Sequence, residues 1–251
     1  MGAVALPRIV GAGQYEAGWR TSAWLAELQE RPAATLLRGH RRLVVISPHP
    51  DDETLACGGL MRAATGAGLE VHLVAVTDGE ACYPDDASWP VEQLRQERPR
   101  EVERALAVLG IRAQVQRLGI PDGGIDRRRA ELEQTLRDFV QPHDLVLAPW
   151  ERDGHPDHDA VGRAALASVR QTGARLLRYP VWAWHWLQPD AIQPPFQAFR
   201  VPLERETLAL KRRAIDCFTT QLDPGGSSPS APILPAHVVE RFQRPFEVYL
   251  S

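Results

Sequence analysis

The chain has 251 residues, 44% hydrophobic and 24% charged, with a net charge of −3. That is an ordinary composition for a soluble globular protein, long enough for one large α/β domain or two small ones, and it offers no bulk attraction to nucleic acid or to an anionic membrane surface. No run approaches the ~20 apolar residues that span a bilayer, and three widely spaced cysteines without a paired-Cys motif point to a reducing, cytoplasmic setting.

Residues 1–18 read as irregular. Pro7 and Arg8 interrupt their short apolar run, and no basic region opens it, so the stretch does not read as a signal peptide. Residues 19–30 carry apolar side chains at helical spacing and stop before Pro32, which predicts a helix packed on the domain. From there strands and helices alternate. "RLVVIS" (42–47) is a continuous apolar run fit for a strand covered on both faces. A helix follows over 54–68, a strand over 69–80, a long polar helix over 92–110 containing Pro99, and a short strand over 113–121. Next come a helix over 127–141, a buried strand "DLVLAPW" (144–150), a helix over 156–173 and a strand over 175–186. The last third predicts a helix over 201–218, a Pro/Gly/Ser-rich loop over 222–235, and a helical turn with a strand over 241–250. This alternation means a mostly parallel, Rossmann-like sheet with helices on both faces, a three-layer α/β sandwich. The 251 residues read as one domain, with a core over about 41–222 and residues 1–40 as an extension packed on it.

In an open parallel sheet, ligands bind where loops leave the carboxyl ends of the strands. "PHPDDE" (48–53) follows the first core strand and "RDGHPDHDA" (152–160) follows "DLVLAPW", so both clusters reach the same edge. Three carboxylates beside one imidazole are costly to hold together unless a cation joins them. Imidazole and carboxylate suit zinc, and a catalytic zinc keeps three protein ligands and an open position for water. His49, Asp52 and one histidine of "HPDH" make up that count. Asp51, beside Asp52, is left as a base for the metal-bound water, and the remaining histidine as a donor to the oxygen that becomes negative. Iron(II) accepts the same ligands, so zinc against iron stays open.

"PHPDDE" with "HPDH" about a hundred residues later resembles the paired signature of the LmbE-like, or PIG-L, family of zinc-dependent N-deacetylases. "RPREVERALAVLG" (98–110), "LGIPDGG" (118–124) and "KRRAIDCFTTQ" (211–221) look like further landmarks of that family, so the resemblance spans residues 43 to about 221. It implies that His49, Asp52 and His158 bind zinc, that Asp51 is the general base, that His155 stabilises the oxyanion, and that Asp157 orients a histidine. It also implies a Rossmann-like fold and an acetamide substrate, an N-acetylglucosamine-type sugar or glycoconjugate. No G-x-G-x-x-G follows the first strand, so a dinucleotide is not implied.

Other residues are weighed against plainer roles. Asp78 and Glu80, after the second strand, are substrate-binding candidates or part of a solvated loop; Arg152 and Asp153 precede the second motif and are placed to line the pocket. Trp182, Trp184 and Trp186 alternate, so a strand puts them on one face. That face could stack on a sugar, with Trp184 as the candidate contact, or pack under a helix or against a second subunit of a homo-oligomer. Three rival functions remain: an amidase of the same family acting on a non-sugar or thiol-conjugate amide, a catalytically silent sugar-binding protein, and a phosphoacceptor receiver. The last needs a lysine at the motif edge, and the single lysine, Lys211, lies in a late helix.

Overall fold

The computed structural model describes residues 11–190, 196–225 and 228–251. Residues 1–10, which include the stretch read against a signal peptide, and Gly226 and Ser227 of the Pro/Gly/Ser loop lie outside them. Among the described residues the apolar runs become the strands of one sheet. In chain order these are β1 (Gln29–Glu30), β2 (Arg42–Ser47), β3 (Glu70–Ala75), β4 (Ala113–Arg117), β5 (Leu145–Pro149), β6 (Arg175–Tyr179), β7 (Ala198–Pro202) and β8 (Phe246–Leu250). Their order across the sheet is β1-β7-β8-β6-β5-β2-β3-β4. The pairings are parallel except the two made by β8, which runs antiparallel to both β6 and β7.

Alternate residues of the central strands feed two cores, as the two-residue period of a strand requires. Leu43, Val45, Leu73, Leu145 and Leu147 point to one face, under the helices Asp52–Gly66, Val91–Leu109 and Arg205–Ile215. Val44, Ile46, Val74, Val146 and Ala148 point to the other, under Arg129–Phe139 and Pro156–Thr172. This is the three-layer α/β arrangement expected from the alternation of strands and helices. Gly110 (φ 68°) and Gly173 (φ 78°) end two of these helices in the left-handed conformation, where a side chain is strained.

The chain runs β2, β3, β4 in one direction across the sheet, then returns to place β5 and β6 on the other side of β2. The topology therefore reverses between β2 and β5, which pair in register at Leu43–Leu145, Val44–Val146 and Val45–Leu147. Loops that leave a parallel sheet at such a point diverge to opposite faces and open a crevice. The "PHPDDE" loop leaves β2 and the "HPDH" loop leaves β5, so the two motifs flank that crevice.

Three expectations are corrected. Residues 19–30 are not one helix: Glu16–Arg20 and Ala23–Glu27 are separate helices followed by β1, because the Ser22 hydroxyl accepts from the backbone N–H of Leu25 and starts a new helix. The helix expected over 201–218 is Arg205–Ile215, and Val201 and Pro202 belong to β7. The strand expected over 175–186 ends at Tyr179; Pro180 follows, and Ala183–Trp186 is a helical turn. No helix among the described residues is long and apolar enough to cross a membrane.

Candidate active site

His49 and Asp52 sit at the turn between β2 and the helix Asp52–Gly66, and His158 lies in the first turn of the helix Pro156–Thr172. The turn is bolted down by Glu53, whose carboxylate accepts from the Ser47 hydroxyl (3.0 Å) and from the backbone N–H of Asp51 (3.3 Å). His49 Nδ1 and His158 Nε2, 109 residues apart in sequence, lie 3.2 Å apart. Asp52 Oδ2 is 3.4 Å from the first and 3.2 Å from the second. These atoms form a nearly equilateral triangle. Tetrahedral zinc with bonds of about 2.0–2.1 Å places its ligand atoms about 3.3–3.4 Å apart. The donor set therefore has both the chemistry and the size for such an ion. Two wider groupings share His49, one with His155 and His158 and one with Asp122 and Asp157, their ligand atoms within 4.8 Å of one another. The second uses the other nitrogen of His49, which already faces two carboxylates.

Each imidazole of the triangle is oriented from behind. Asp122 Oδ1 and Asp157 Oδ2 lie 3.2 Å and 3.3 Å from His49 Nε2. Asp157 is itself held by the backbone N–H groups of Gly123 (2.7 Å) and Ile125 (3.2 Å), and Asp122 by that of Ala81 (3.0 Å). His158 Nδ1 faces Asp153 Oδ2 at 2.9 Å. Carboxylates behind ligand histidines fix the tautomer and raise ligand basicity. The same carboxylates hold the imidazoles charged when nothing else does. Burial alone lowers the His158 pKa, but Asp52 and Asp153 outweigh it and push it up to about 9. His49 is likewise raised against burial by Asp122, Asp157 and Asp52. Burial favours protonation of Asp52, yet His158 and His49 hold it well below the usual carboxylate range.

Asp51 is the residue before that helix, with φ 138° and ψ −33°, the one non-glycine among the described residues with its backbone in the positive-φ region. Such backbone costs on the order of 1–3 kcal/mol. Its carboxylate does not cap the helix; Oδ2 accepts from Arg98 Nη2 at 3.0 Å. Arg98, buried in the helix Val91–Leu109, also donates to the carbonyls of Pro50 (2.8 Å) and Gly79 (2.6 Å), tying the ends of the loops after β2 and β3 to Asp51. Gly79 (φ +65°) lets the guanidinium in, since a Cβ there would overlap Arg98 Nη1. Burial first, and then Asp52 and Glu53, raise the Asp51 pKa well above the usual carboxylate value, with Arg98 pulling the other way.

His155 is the N-cap of the helix Pro156–Thr172, its Nδ1 accepting from the backbone N–H of Asp157 at 3.2 Å. In the neutral ring that leaves the proton on Nε2. Burial, and then the charges of His158 and His49, lower its pKa to about 3, so the ring is neutral near pH 7.

These groups bound one cavity of about 320 Å³, lined by His49, Asp51, Asp52, Arg98, Asp122 and His155 on its polar side, with Leu55, Val181, Trp182, Ile233 and Leu234 as its apolar wall. The remaining lining comes from Ala81, Cys82 and Gln221. Several sequence candidates lie elsewhere. Asp78 pairs with Arg117 (2.8 Å), and Glu80 with Arg95 (3.4 Å); neither lines the cavity. Arg152 is exposed. Asp153 is buried behind His158, where it accepts from the backbone N–H groups of Val181, Trp182 and Ala183 at 2.8–2.9 Å. Trp184 is packed edge-on against Trp19 in the core, with Arg244 over its ring, and Trp182 faces the cavity instead. Lys211 is paired in the core with Glu247 at 2.6 Å, away from the cavity lining, which removes the receiver alternative. Arg98, Asp122 and Gln221 were not singled out from sequence, although each lies in a quoted landmark run.

The family description "PIG-L: GlcNAc-PI de-N-acetylase" matches residues 44–169. A 1D-myo-inositol 2-acetamido-2-deoxy-alpha-D-glucopyranoside deacetylase of Nakamurella multipartita is 33% identical over 161 residues, covering 51% of this chain and 54% of that protein. The chain spans about half to three-fifths of the length of the curated relatives it first matches. A conserved protein of Thermus thermophilus shares 30% identity and a TM-score of 0.53, over 73% of this chain and 80% of its own. The N,N'-diacetylchitobiose deacetylase of Pyrococcus horikoshii shares the fold, with a TM-score of 0.57, 24% identity and coverage of 82% and 76%. The matched stretch runs from within β2 into the helix that carries His158, and the chain belongs to the PIG-L family.

Proposed function

We propose that this protein is a metal-dependent hydrolase that removes the acetyl group from an N-acetylglucosamine-type sugar or glycoconjugate, releasing acetate and a free amine. The observation that carries the reading is that His49 and Asp52 of the donor triangle line one cavity with Asp51 and His155, while the third corner, His158, is buried with its Nε2 3.2 Å from both His49 Nδ1 and Asp52 Oδ2. Relatives named as deacetylases of 2-acetamido sugars support the substrate class. His49, Asp52 and His158 would hold a divalent cation, zinc or iron(II), which would supply Lewis-acid polarisation of the amide carbonyl and a lowered pKa for water.

This chain's own residues do the rest. Arg98 fixes one oxygen of the Asp51 carboxylate, and the other takes a proton from the attacking water. The raised pKa of Asp51 brings it toward the range in which a general base works best near neutral pH. His155, neutral with its proton on Nε2, donates to the carbonyl oxygen as it becomes negative. Asp51 then returns the proton to the leaving nitrogen, and the C–N bond breaks. The 251 residues act as one domain in this reading, and the three free cysteines suit a reducing, cytoplasmic setting.

The test is acetate release from N-acetylglucosamine glycosides by zinc-loaded protein, beside Asp51→Asn. The variant is expected to keep stoichiometric metal and to lose about 100-fold or more in turnover. Near-normal turnover shows that the base lies elsewhere. Activity confined to non-sugar amides overturns the substrate assignment and leaves the hydrolase chemistry standing.

A further inference from the structure

The apolar wall of the cavity has a use that an acetamido sugar alone does not explain. Leu55, Val181, Trp182, Ile233 and Leu234 bound the same space as the metal-facing residues. A bare sugar presents hydroxyl groups, and burying these against aliphatic side chains leaves them without partners. Trp182 and Ile233 are each partly exposed, so this wall keeps apolar surface in contact with water until a ligand covers it.

The wall is also braced. The backbone N–H of Leu234 donates to Gln221 O at 3.0 Å. Residues 219–220 are pinned by Glu101, which accepts from both threonine hydroxyls and from the backbone N–H of Thr220 at 2.6–2.9 Å. The loop after β3 clasps the same segment, with Tyr83 Oη on Thr220 O (2.8 Å), Trp89 Nε1 on Pro224 O (2.9 Å) and Asp86 on the Ser228 hydroxyl. On the other side, Asp153 fixes Val181 and Trp182 through their backbone N–H groups. Four of the five wall residues lie outside the stretch that matches the family description.

We infer that the substrate carries an apolar substituent beside the scissile amide, seated on Leu55, Val181, Trp182, Ile233 and Leu234. This rests on the deacetylase reading above. The substituent has two sources: an alkyl or aryl aglycone on the sugar, or an N-acyl chain longer than acetyl, in which case the same amide hydrolysis releases that longer acid in place of acetate.

Two substrate series distinguish them with the zinc-loaded protein: methyl, butyl and hexyl glycosides of N-acetylglucosamine, and N-acetyl, N-butanoyl and N-hexanoyl forms of the methyl glycoside. In the series whose chain reaches the wall, kcat/KM is expected to rise about fourfold for each of the first few methylenes, the equivalent of ~0.8 kcal/mol each. Ile233→Asn is expected to bring the hexyl-to-methyl ratio of that series toward one, and Ile233→Leu to keep it, with thermal melting reporting that both variants fold. Hydrolysis of the methyl glycoside with both series flat or falling overturns this inference alone. An unchanged ratio in Ile233→Asn overturns the assignment to this wall. Absence of turnover on every member overturns the deacetylase reading and this one with it.

Discussion

Arg98 offers the sharpest test of how the base is held. Its side chain is 3% exposed and that of Asp51 8%, so their 3.0 Å contact is shielded from solvent. Arg98→Met keeps much of the volume and removes the charge. It leaves Asp51 buried without its counter-charge and strips the Pro50 and Gly79 carbonyls of a donor. Breaking a buried pair from one side costs about 3–5 kcal/mol. At roughly 2–4 °C per kcal/mol for a chain near this size, melting is expected to fall by about 10 °C. The kinetic effect has a definite sign. Arg98 lowers the Asp51 pKa, so its loss raises it. A base must be ionised to act, so the acid limb of kcat/KM moves to higher pH. Thermal denaturation and a pH–rate profile of wild type and variant check both effects. An acid limb that stays in place while melting falls shows that Asp51 is not the titrating base, and an unchanged melting temperature refutes the buried ion pair.

Three further outcomes are expected. His158→Ala removes one corner of the donor triangle and loses bound metal; full stoichiometric zinc in the purified variant, read by elemental analysis, refutes the ligand assignment. His155 remains neutral from pH 8 down to about 4, with its proton on Nε2, and nitrogen NMR of the imidazole reads this directly. Because its folded pKa lies below the ordinary 6.5, the unfolded chain binds the extra proton, so this residue's contribution to stability is intact above pH 6.5 and falls as pH drops toward 3. Lys211→Met leaves Glu247 buried without a counter-charge and is expected to cost about 3–5 kcal/mol in urea denaturation, with the double variant carrying Glu247→Gln recovering part of the loss.

That His49, Asp52 and His158 come together was legible because the chemistry of such a donor set restricts residue type. Histidine and aspartate in a fixed order after two apolar runs have few structural explanations, and strand–helix alternation places both runs at one edge. Arg98 and Asp122 were not legible for the opposite reason. An arginine in a polar helix and an aspartate in a turn are commonplace, and their roles depend on contacts with Pro50, Gly79 and His49, which spacing does not report. The aromatic run 182–186 misled because alternation is a strand signal only while the chain stays in the sheet. Pro180 marks the departure, and the Asp153 carboxylate gathers the next three N–H groups into the start of a helical turn. That sends Trp184 into the core and leaves Trp182 at the cavity. Asp78 and Glu80 reach the expected edge, yet arginines from the neighbouring helix and strand claim them.

The place of β8 has a consequence for how the molecule assembles. It follows every other strand in the chain, yet it lies between β6 and β7 rather than at a margin. The group from β6 to β4 can pair without it, but β7 and β1 cannot join that group until it arrives. It also carries Glu247, which bonds the backbone N–H groups of Gly59 and Leu60 in the helix that begins at Asp52. Contacts this distant along the chain form slowly. The last strand thus acts as a keystone, and the helix whose first turn supplies Asp52 to the donor triangle is locked only when it drops into place.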